Sequence, residues 1–295
     1  MTTGDRTGRR PTAARHDTSA RTEAFARHTR RMSIPATACP PDLAVTAALF
    51  ADASRARMLS ALTDGRSLPA SVLAAESGIA PSTASEHLAR LVAGGLLTVQ
   101  TSGRHRYYRL ADERVADAIE ALSVLAPQPP ITSLRAATRA SALRRGRTCY
   151  DHLAGRLGVT VTEAMLGRGV LERTDGRRGT MRRAEDPLAN AMAHHPYRLG
   201  PHAGRILAEL GVDVGAITAG DPRRPLLRFC VDWSEQRHHL AGGLGAALLA
   251  RMLLAGWVRR LPTHRAVELT ATGRAVLADV LELPIENHTR PKTVS

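Results

Sequence analysis

The stretch SLPASVLAAESGIAPSTASEHLARLVAGGLLTVQTSGRHRYYRL, from Ser67 to Leu110, reads as two short helices, a turn and a β-hairpin with arginines massed at its tip. Pro69 to Ser77 should form the first helix, with proline in its opening turn and Gly78 at a left-handed exit. Val72 and Leu73 are expected to face the core while Ile79 and Ala80 carry the turn. The second helix opens on Pro81, Ser82, Thr83 and Ser85, then changes to Leu88, Leu91 and Val92 at helical spacing before Gly94 and Gly95 stop it. A polar start and an anchored end suit a helix that enters a major groove. Small hydrogen-bonding side chains near the N-terminus read base edges while the rear packs on a scaffold. Ser82, Thr83, Ser85, Glu86 and His87 are the candidate base readers, with Arg90 nearer to phosphate.

Leu96 to Val99 and Arg104 to Leu110 then alternate as strands around the turn Thr101-Ser102-Gly103. Alternation puts Arg104, Arg106 and Tyr108 on one face, with His105 beside them at the tip. Guanidinium groups there reach phosphates or the minor groove and give affinity that falls with salt without specifying sequence. A solvated charged turn is the plainer reading of a lone basic hairpin, but this one follows a helix pair of matching polarity. The pattern is that of a winged helix-turn-helix, and its partner is double-stranded DNA.

With these residues in view, the region from Asp42 to Leu125 resembles the ArsR/SmtB family of bacterial repressors. The resemblance is carried by ALFADASRARMLSAL, by SLPASVLAAESGIAPSTASEHLARLVAGGLL and by GRHRYYRLADERVADAIEAL, in that order. It implies a homodimeric repressor that leaves its operator when an inducer binds, with the first and last helices of the domain as the dimer seam. Leu43, Val45, Ala47, Leu49 and Phe50 stripe the first of these, and Val115, Ile119, Leu122 and Leu125 the last. Two departures from the family bear on sensing. The positions matching a frequent Cys-x-Cys metal site hold Pro69 and Ser71, which ligate no soft cation. The last helix offers Asp112, Glu113, Asp117 and Glu120 but no histidine, a poor set for zinc.

The chain of 295 residues is too long for one winged helix. No apolar run spans a bilayer, since the best, Leu240 to Val258, is broken by Arg251, so no membrane partner is expected. With no apolar signal core, and with three cysteines that build no disulfide framework, a cytoplasmic setting is expected. The net charge of +14 agrees with a nucleic-acid partner, although arginine supplies every basic residue but Lys292, as a GC-rich genome would dictate. Residues 1–41 read as a disordered Arg-rich tail, 42–126 as the DNA-binding domain and 127–145 as a proline-stiffened linker and a basic helix. That helix should carry Arg135, Arg139, Arg144 and Arg145 on its polar surface. Residues 146–285 read as a domain for effector binding or dimerisation, and 286–295 as a tail.

This second domain repeats itself. HLAGRLGVTVTEAMLGRGVLER from His152 aligns without a gap to HLAGGLGAALLARMLLAGWVRR from His239, and each copy closes with a strand and a helix. The expected fold class is therefore mainly α with small β-hairpins (α+β): a winged helix-turn-helix followed by two degenerate winged-helix-like repeats. An insert from Arg173 to Pro196 reads as a mobile surface loop. A cluster precedes each copy: Cys149-Tyr150-Asp151-His152 in one case, and Cys230 and Asp232 to His239 in the other. The region resembles the carboxyl-terminal extension of a set of actinobacterial ArsR-type regulators.

Several readings of the clusters stay open. Cys149, His152, Cys230 and His239 have the chemistry to hold zinc or another thiolate-binding metal, although no established zinc motif has this spacing. Alternatively each Cys packs as a small hydrophobe, each Asp caps a helix and each His bonds to backbone, or the two cysteines form a redox pair. A pocket for an organic effector is a further reading, with Tyr150, Tyr197, Trp233 and Trp257 as walls and Arg237 or His238 as polar anchors. An enzyme is the competing class, and Asp232, Glu235 and His238 are its acid-base candidates. The chain shows no strand-terminated Gly-x-Gly-x-Gly, phosphate loop or G-x-S-x-G elbow, so a regulator, not an enzyme, is expected.

Overall fold

A computed structural model describes residues 42–127, 133–192, 194–222, 224–261 and 264–283. The tails expected at 1–41 and 286–295, and the proline-rich segment 128–132, lie outside these residues. Two helices, α1 (Leu43–Phe50) and α2 (Ala53–Leu62), come first. Asp52 caps α2 by accepting from the Arg55 amide at 2.9 Å. The nearly buried Arg55 side chain reaches back to the carbonyls of Ala48 and Leu49, satisfying orphan acceptors at the end of α1.

Strand β1 (Leu68–Pro69) leads into α3 (Ala70–Ser77), and α4 (Pro81–Ala93) follows a turn begun by Gly78 at φ 69°. The hairpin of β2 (Leu97–Ser102) and β3 (His105–Leu110) pairs Leu97 with Leu110 and Ser102 with His105. Leu68 and Pro69 pair with Tyr108 and Tyr107, so Pro69 is drawn into a third strand and α3 begins one residue later than expected. Val72 therefore points to solvent while Leu73, Ala74 and Ser77 face inward. Met58, Leu62, Leu73, Leu88, Leu91, Leu97, Leu110 and Ile119 form one core, each buried leucine contributing about 1.5–3 kcal/mol. Helix α5 (Glu113–Leu125) closes the domain, capped by Asp112 through the Arg114 and Val115 amides.

After the exposed basic helix α6 (Leu134–Arg145), one order of elements occurs twice. The first run is the hairpin of β4 (Arg147–Cys149) and β5 (His152–Ala154), α7 (Gly155–Gly167), β6 (Leu171–Arg173) and, beyond the short β7 (Asn190–Ala191), its partner β8 (Tyr197–Leu199), then α8 (Ala203–Glu209). Helix α9 (Val214–Gly220) joins it to the second. That run is the hairpin of β9 (Arg228–Val231) and β10 (His238–Ala241), α10 (Gly242–Leu254), the pair β11 (Val258–Arg260) and β12 (Val267–Leu269), and α11 (Ala271–Leu281). Packing between the runs is reciprocal, as a two-fold axis would make it: α7 lies on β10 and α10 lies on β5. Among the described residues no helix is long and apolar enough to cross a membrane.

The insert from Arg173 to Pro196 departs from the expected mobile loop. Asn190 and Ala191 add a strand to β9, and the buried Asp186 accepts from Arg183 and sits 2.8 Å from His238 Nε2. Polar groups taken out of water must find partners, and these partners pin the segment.

Each HLAG motif turns from strand to helix through a glycine in the left-handed region, Gly155 at φ 72° and Gly242 at φ 73°. A Cβ at Gly242 would stand 2.8 Å from the Pro225 carbonyl oxygen. Gly242→Ala should therefore cost about 1–3 kcal/mol in chemical denaturation. Gly204→Ala, inside α8 with open space around it, should gain about 0.5–1 kcal/mol. Equal effects of the two would contradict this backbone account.

Candidate nucleic-acid interface and metal centre

Helix α4 carries its polar residues outward. Ser82, Thr83, Ser85, Glu86 and Arg90 are exposed, while Ala84, Leu88 and Leu91 are buried beneath them. His87 differs, because it turns half-buried toward α2, with Nδ1 3.4 Å from Arg55 Nη1 and 3.8 Å from Asp52 Oδ1. At the wing, Arg104, His105 and Arg106 are exposed. Tyr108 is not with them: it points along the same face of β3 but lies over the helices, only 6% exposed and part of the core. The face that is solvent at the tip becomes interior two residues later, which alternation alone does not reveal.

The four candidate metal ligands converge. In the first hairpin Cys149 stands directly across the ladder from His152, and in the second Cys230 stands across from His239. Directly opposed residues share a face of the sheet, so each hairpin presents one sulfur beside one imidazole. The two hairpins meet with the His152 and His239 rings 5.2 Å apart. One donor atom from each of the four residues lies within 4.8 Å of the others, and all four residues are buried.

Each imidazole has a carboxylate behind it. His152 Nδ1 lies 3.5 Å from Asp151 Oδ1, and His239 Nδ1 lies 3.5 Å from Asp232 Oδ2. The Nε2 atoms of both rings, and Nδ1 of His239, are buried without a hydrogen-bond partner, so Asp232 stands behind His239 as a nearby charge. A carboxylate behind one ring nitrogen and an unfilled position before the other is the arrangement that supports metal-bound histidine. Its hydrogen bond with Cys230, together with burial, pushes the Cys149 thiol well above its usual value. Burial holds His239 neutral, down to about 3.

Asp232 is the hub behind the centre. It accepts from Arg147 Nη2 at 3.0 Å, from the Gly155 amide at 2.6 Å and from the amide and hydroxyl of Ser234 at 2.9 and 2.8 Å. Burial opposes its charge, but Arg147, His239 and these donors hold its carboxyl far below the usual range. Arg147 is itself buried over the Trp233 ring, 4.6 Å from its centroid. One carboxylate thus joins the two runs of elements.

The other groupings fare differently. The proposed pocket walls separate: Tyr150 packs against the DNA-binding core, Trp257 lies in the carboxyl-terminal core and Trp233 covers Arg147. His238 is sealed between Tyr197, at 2.6 Å, and Asp186, while Arg237 pairs with Glu163, so neither is an anchor in a shared cavity with them. The acid-base trio also diverges, with Asp232 bound to Arg147, His238 to Tyr197 and Glu235 near Arg156. The carboxylates of α5 have another use. Glu113 and Asp117 pair with Arg228, and the buried Glu120 with Arg265, so this face docks the winged helix on the carboxyl-terminal half. The hub role of Asp232 and the clamp of Asp186 on His238 had no signal in spacing, since Asp232 lies 77 positions along the chain from Gly155 and His238 lies 52 from Asp186.

Comparison with known proteins gives a family model described as a helix-turn-helix domain, matched by residues 50–100. Over 245 residues the chain is 36% identical to the uncharacterized HTH-type transcriptional regulator YdfF of Bacillus subtilis (strain 168), covering 83% of this chain and 99% of that protein. Among solved structures, HlyU from Vibrio cholerae N16961 aligns at 28% identity over 29% of this chain and 91% of its own, with a TM-score of 0.27. NolR from Sinorhizobium fredii aligns at 26% identity over 28% of this chain and 81% of its own, with a TM-score of 0.26.

Asp232→Ala should leave the buried Arg147 uncompensated and cost about 3–5 kcal/mol. Both tryptophans lie in the carboxyl-terminal half, so their fluorescence in a denaturant titration reads this loss. A loss under about 1 kcal/mol would remove Asp232 from its place as hub.

Proposed function

Because the chain belongs to the HTH-type transcriptional regulators, we propose that it is a sequence-specific, dimeric repressor whose hold on duplex DNA is set by a metal bound in its carboxyl-terminal half. The exposed polar start of α4, set beside an arginine-tipped wing, carries the DNA reading. Ser82, Thr83, Ser85 and Glu86 meet base edges in the major groove, while Arg90, Arg104 and Arg106 meet phosphate. The apolar side of α5 supports a seam between two copies, since Leu122 is 46% exposed and Leu125 is 76% exposed on the helix whose other face is docked. Such a dimer presents its two reading helices about 34–36 Å apart.

The metal reading rests on the four converging donors. Two thiolates and two neutral imidazoles around a divalent ion sum to zero charge, which suits a buried site. Four donors of the S₂N₂ kind favour zinc over hard cations. A tetrahedral zinc site has donor-to-donor edges of about 3.3–3.8 Å, so the centre needs little contraction to close. In this reading the chain works by binding and not by catalysis.

On a duplex selected from a random pool, Arg104→Ala and Arg106→Ala should each weaken binding across sequences and lower the salt slope by about 1. Thr83→Val and Ser85→Ala should instead change base preference, by about 1–3 kcal/mol at the affected position. Equal losses on selected and random DNA for all four variants would contradict this division of labour.

Native mass spectrometry of protein grown with zinc should give two chains with one zinc each, and Cys149→Ser or Cys230→Ser should abolish retention of the metal. A metal-free wild-type chain would refute the centre, and a monomer the seam.

A further inference from the structure

We propose that the Tyr150-Asp151 turn couples occupancy of the Cys/His centre to the DNA-binding domain, an inference that rests on reading that centre as a zinc site. The turn is the whole connection between two ligands, Cys149 and His152. A bound ion would therefore fix both of its ends.

Its middle is seated in the winged helix. The Tyr150 amide donates to the Thr63 carbonyl at 2.6 Å, and the residue packs against the DNA-binding core although it belongs to the other half of the chain. Gly65 approaches so closely that a Cβ there would stand 3.1 Å from the Tyr150 carbonyl oxygen. Tyr150 holds a φ of 56°, a conformation that costs a non-glycine residue energy and persists only where the surroundings impose it. Asp151 anchors the other side, with Arg224 at 2.6 Å and the His152 ring behind it.

From Thr63 the connection runs through backbone. The loop 63–67 joins α2 to β1, and β1 pairs with β3, the strand that carries Arg106 at the wing. Asp64 in that loop is buried and is also met by Arg260 of β11. A shift of the turn as its two ends close on an ion is thus passed to the wing by hydrogen-bonded chain, without a change in the core. Linkage requires the reverse effect to be equal: zinc must change DNA affinity by the same factor as DNA changes zinc affinity.

The test uses full-length wild type, Tyr150→Phe and Tyr150→Gly, each stripped by chelator and reloaded with one equivalent of zinc sulfate. Tyr150→Gly removes the side chain seated in the DNA-binding core and frees the backbone at φ 56°, so that the turn no longer moves as a unit. Competition with a chromophoric chelator reads the site. Fluorescence anisotropy on a labelled duplex selected from a random pool reads DNA affinity. All three proteins should bind zinc, and loading should change DNA affinity about 5- to 150-fold in wild type and Tyr150→Phe but about threefold or less in Tyr150→Gly. Zinc binding with no change in wild-type DNA affinity, or a full change in zinc-bound Tyr150→Gly, overturns the coupling while leaving the centre intact. Failure of wild type to compete for zinc overturns the centre and the coupling together. Should Tyr150→Gly not fold, hydrogen exchange on the wild type decides: amides of residues 63–66 should slow on loading, and unchanged exchange there overturns the proposal.

Discussion

In each of two β-hairpins a cysteine stands across the ladder from a histidine, and the hairpins face one another. Four donor groups are thereby withdrawn from water with few protein partners of their own. Such burial is costly unless something is gained, and the two carboxylates held behind the rings show which way the donors are aimed. Much of the carboxyl-terminal half is arranged around this constraint. Asp232 stands behind His239, neutralises Arg147 and receives the first amide of α7, so one buried charge lies at the centre and joins the two runs of elements.

Besides the Tyr150 and Asp64 contacts, the winged helix is attached to this body through charge on one side of a single helix. Glu113, Asp117 and Glu120 recur at helical spacing on α5 and meet Arg228 and Arg265, which come from the second repeat. Arg228 opens the β9 strand that also carries Cys230, and Arg265 bonds to Thr148 beside Cys149. Docking and the candidate ligands thus share strands. The opposite side of α5 keeps Leu122 and Leu125 in solvent, leaving the domain free to meet a second copy while it is held to its own body.

The DNA-binding domain was legible from sequence because its signals are local. Gly78, Pro81, the Ser/Thr start of α4 and the Gly103 turn act within a few residues, and the helical period of Leu88 and Leu91 fixes which side is buried. Tertiary context placed some side chains where local pattern does not, as when β1 claimed Pro69, the core claimed Tyr108 and Arg55 drew in His87. The candidate ligands could be named from residue type and from the self-similar sequence, but not the geometry that brings them together. Two residues separate Cys149 from His152 and eight separate Cys230 from His239. Equal register in hairpins with such different loops leaves no common spacing to find. The aromatic walls separate for a related reason: Tyr150 and Trp233 are near in sequence to the centre and Trp257 is not, and the three serve three different packing surfaces.

The most direct test of the centre is X-ray absorption at the zinc edge on the loaded protein. The account predicts a four-coordinate shell of two sulfurs at about 2.3 Å and two imidazole nitrogens at about 2.0–2.1 Å. A shell of oxygen and nitrogen alone, or one with a single sulfur, would contradict it.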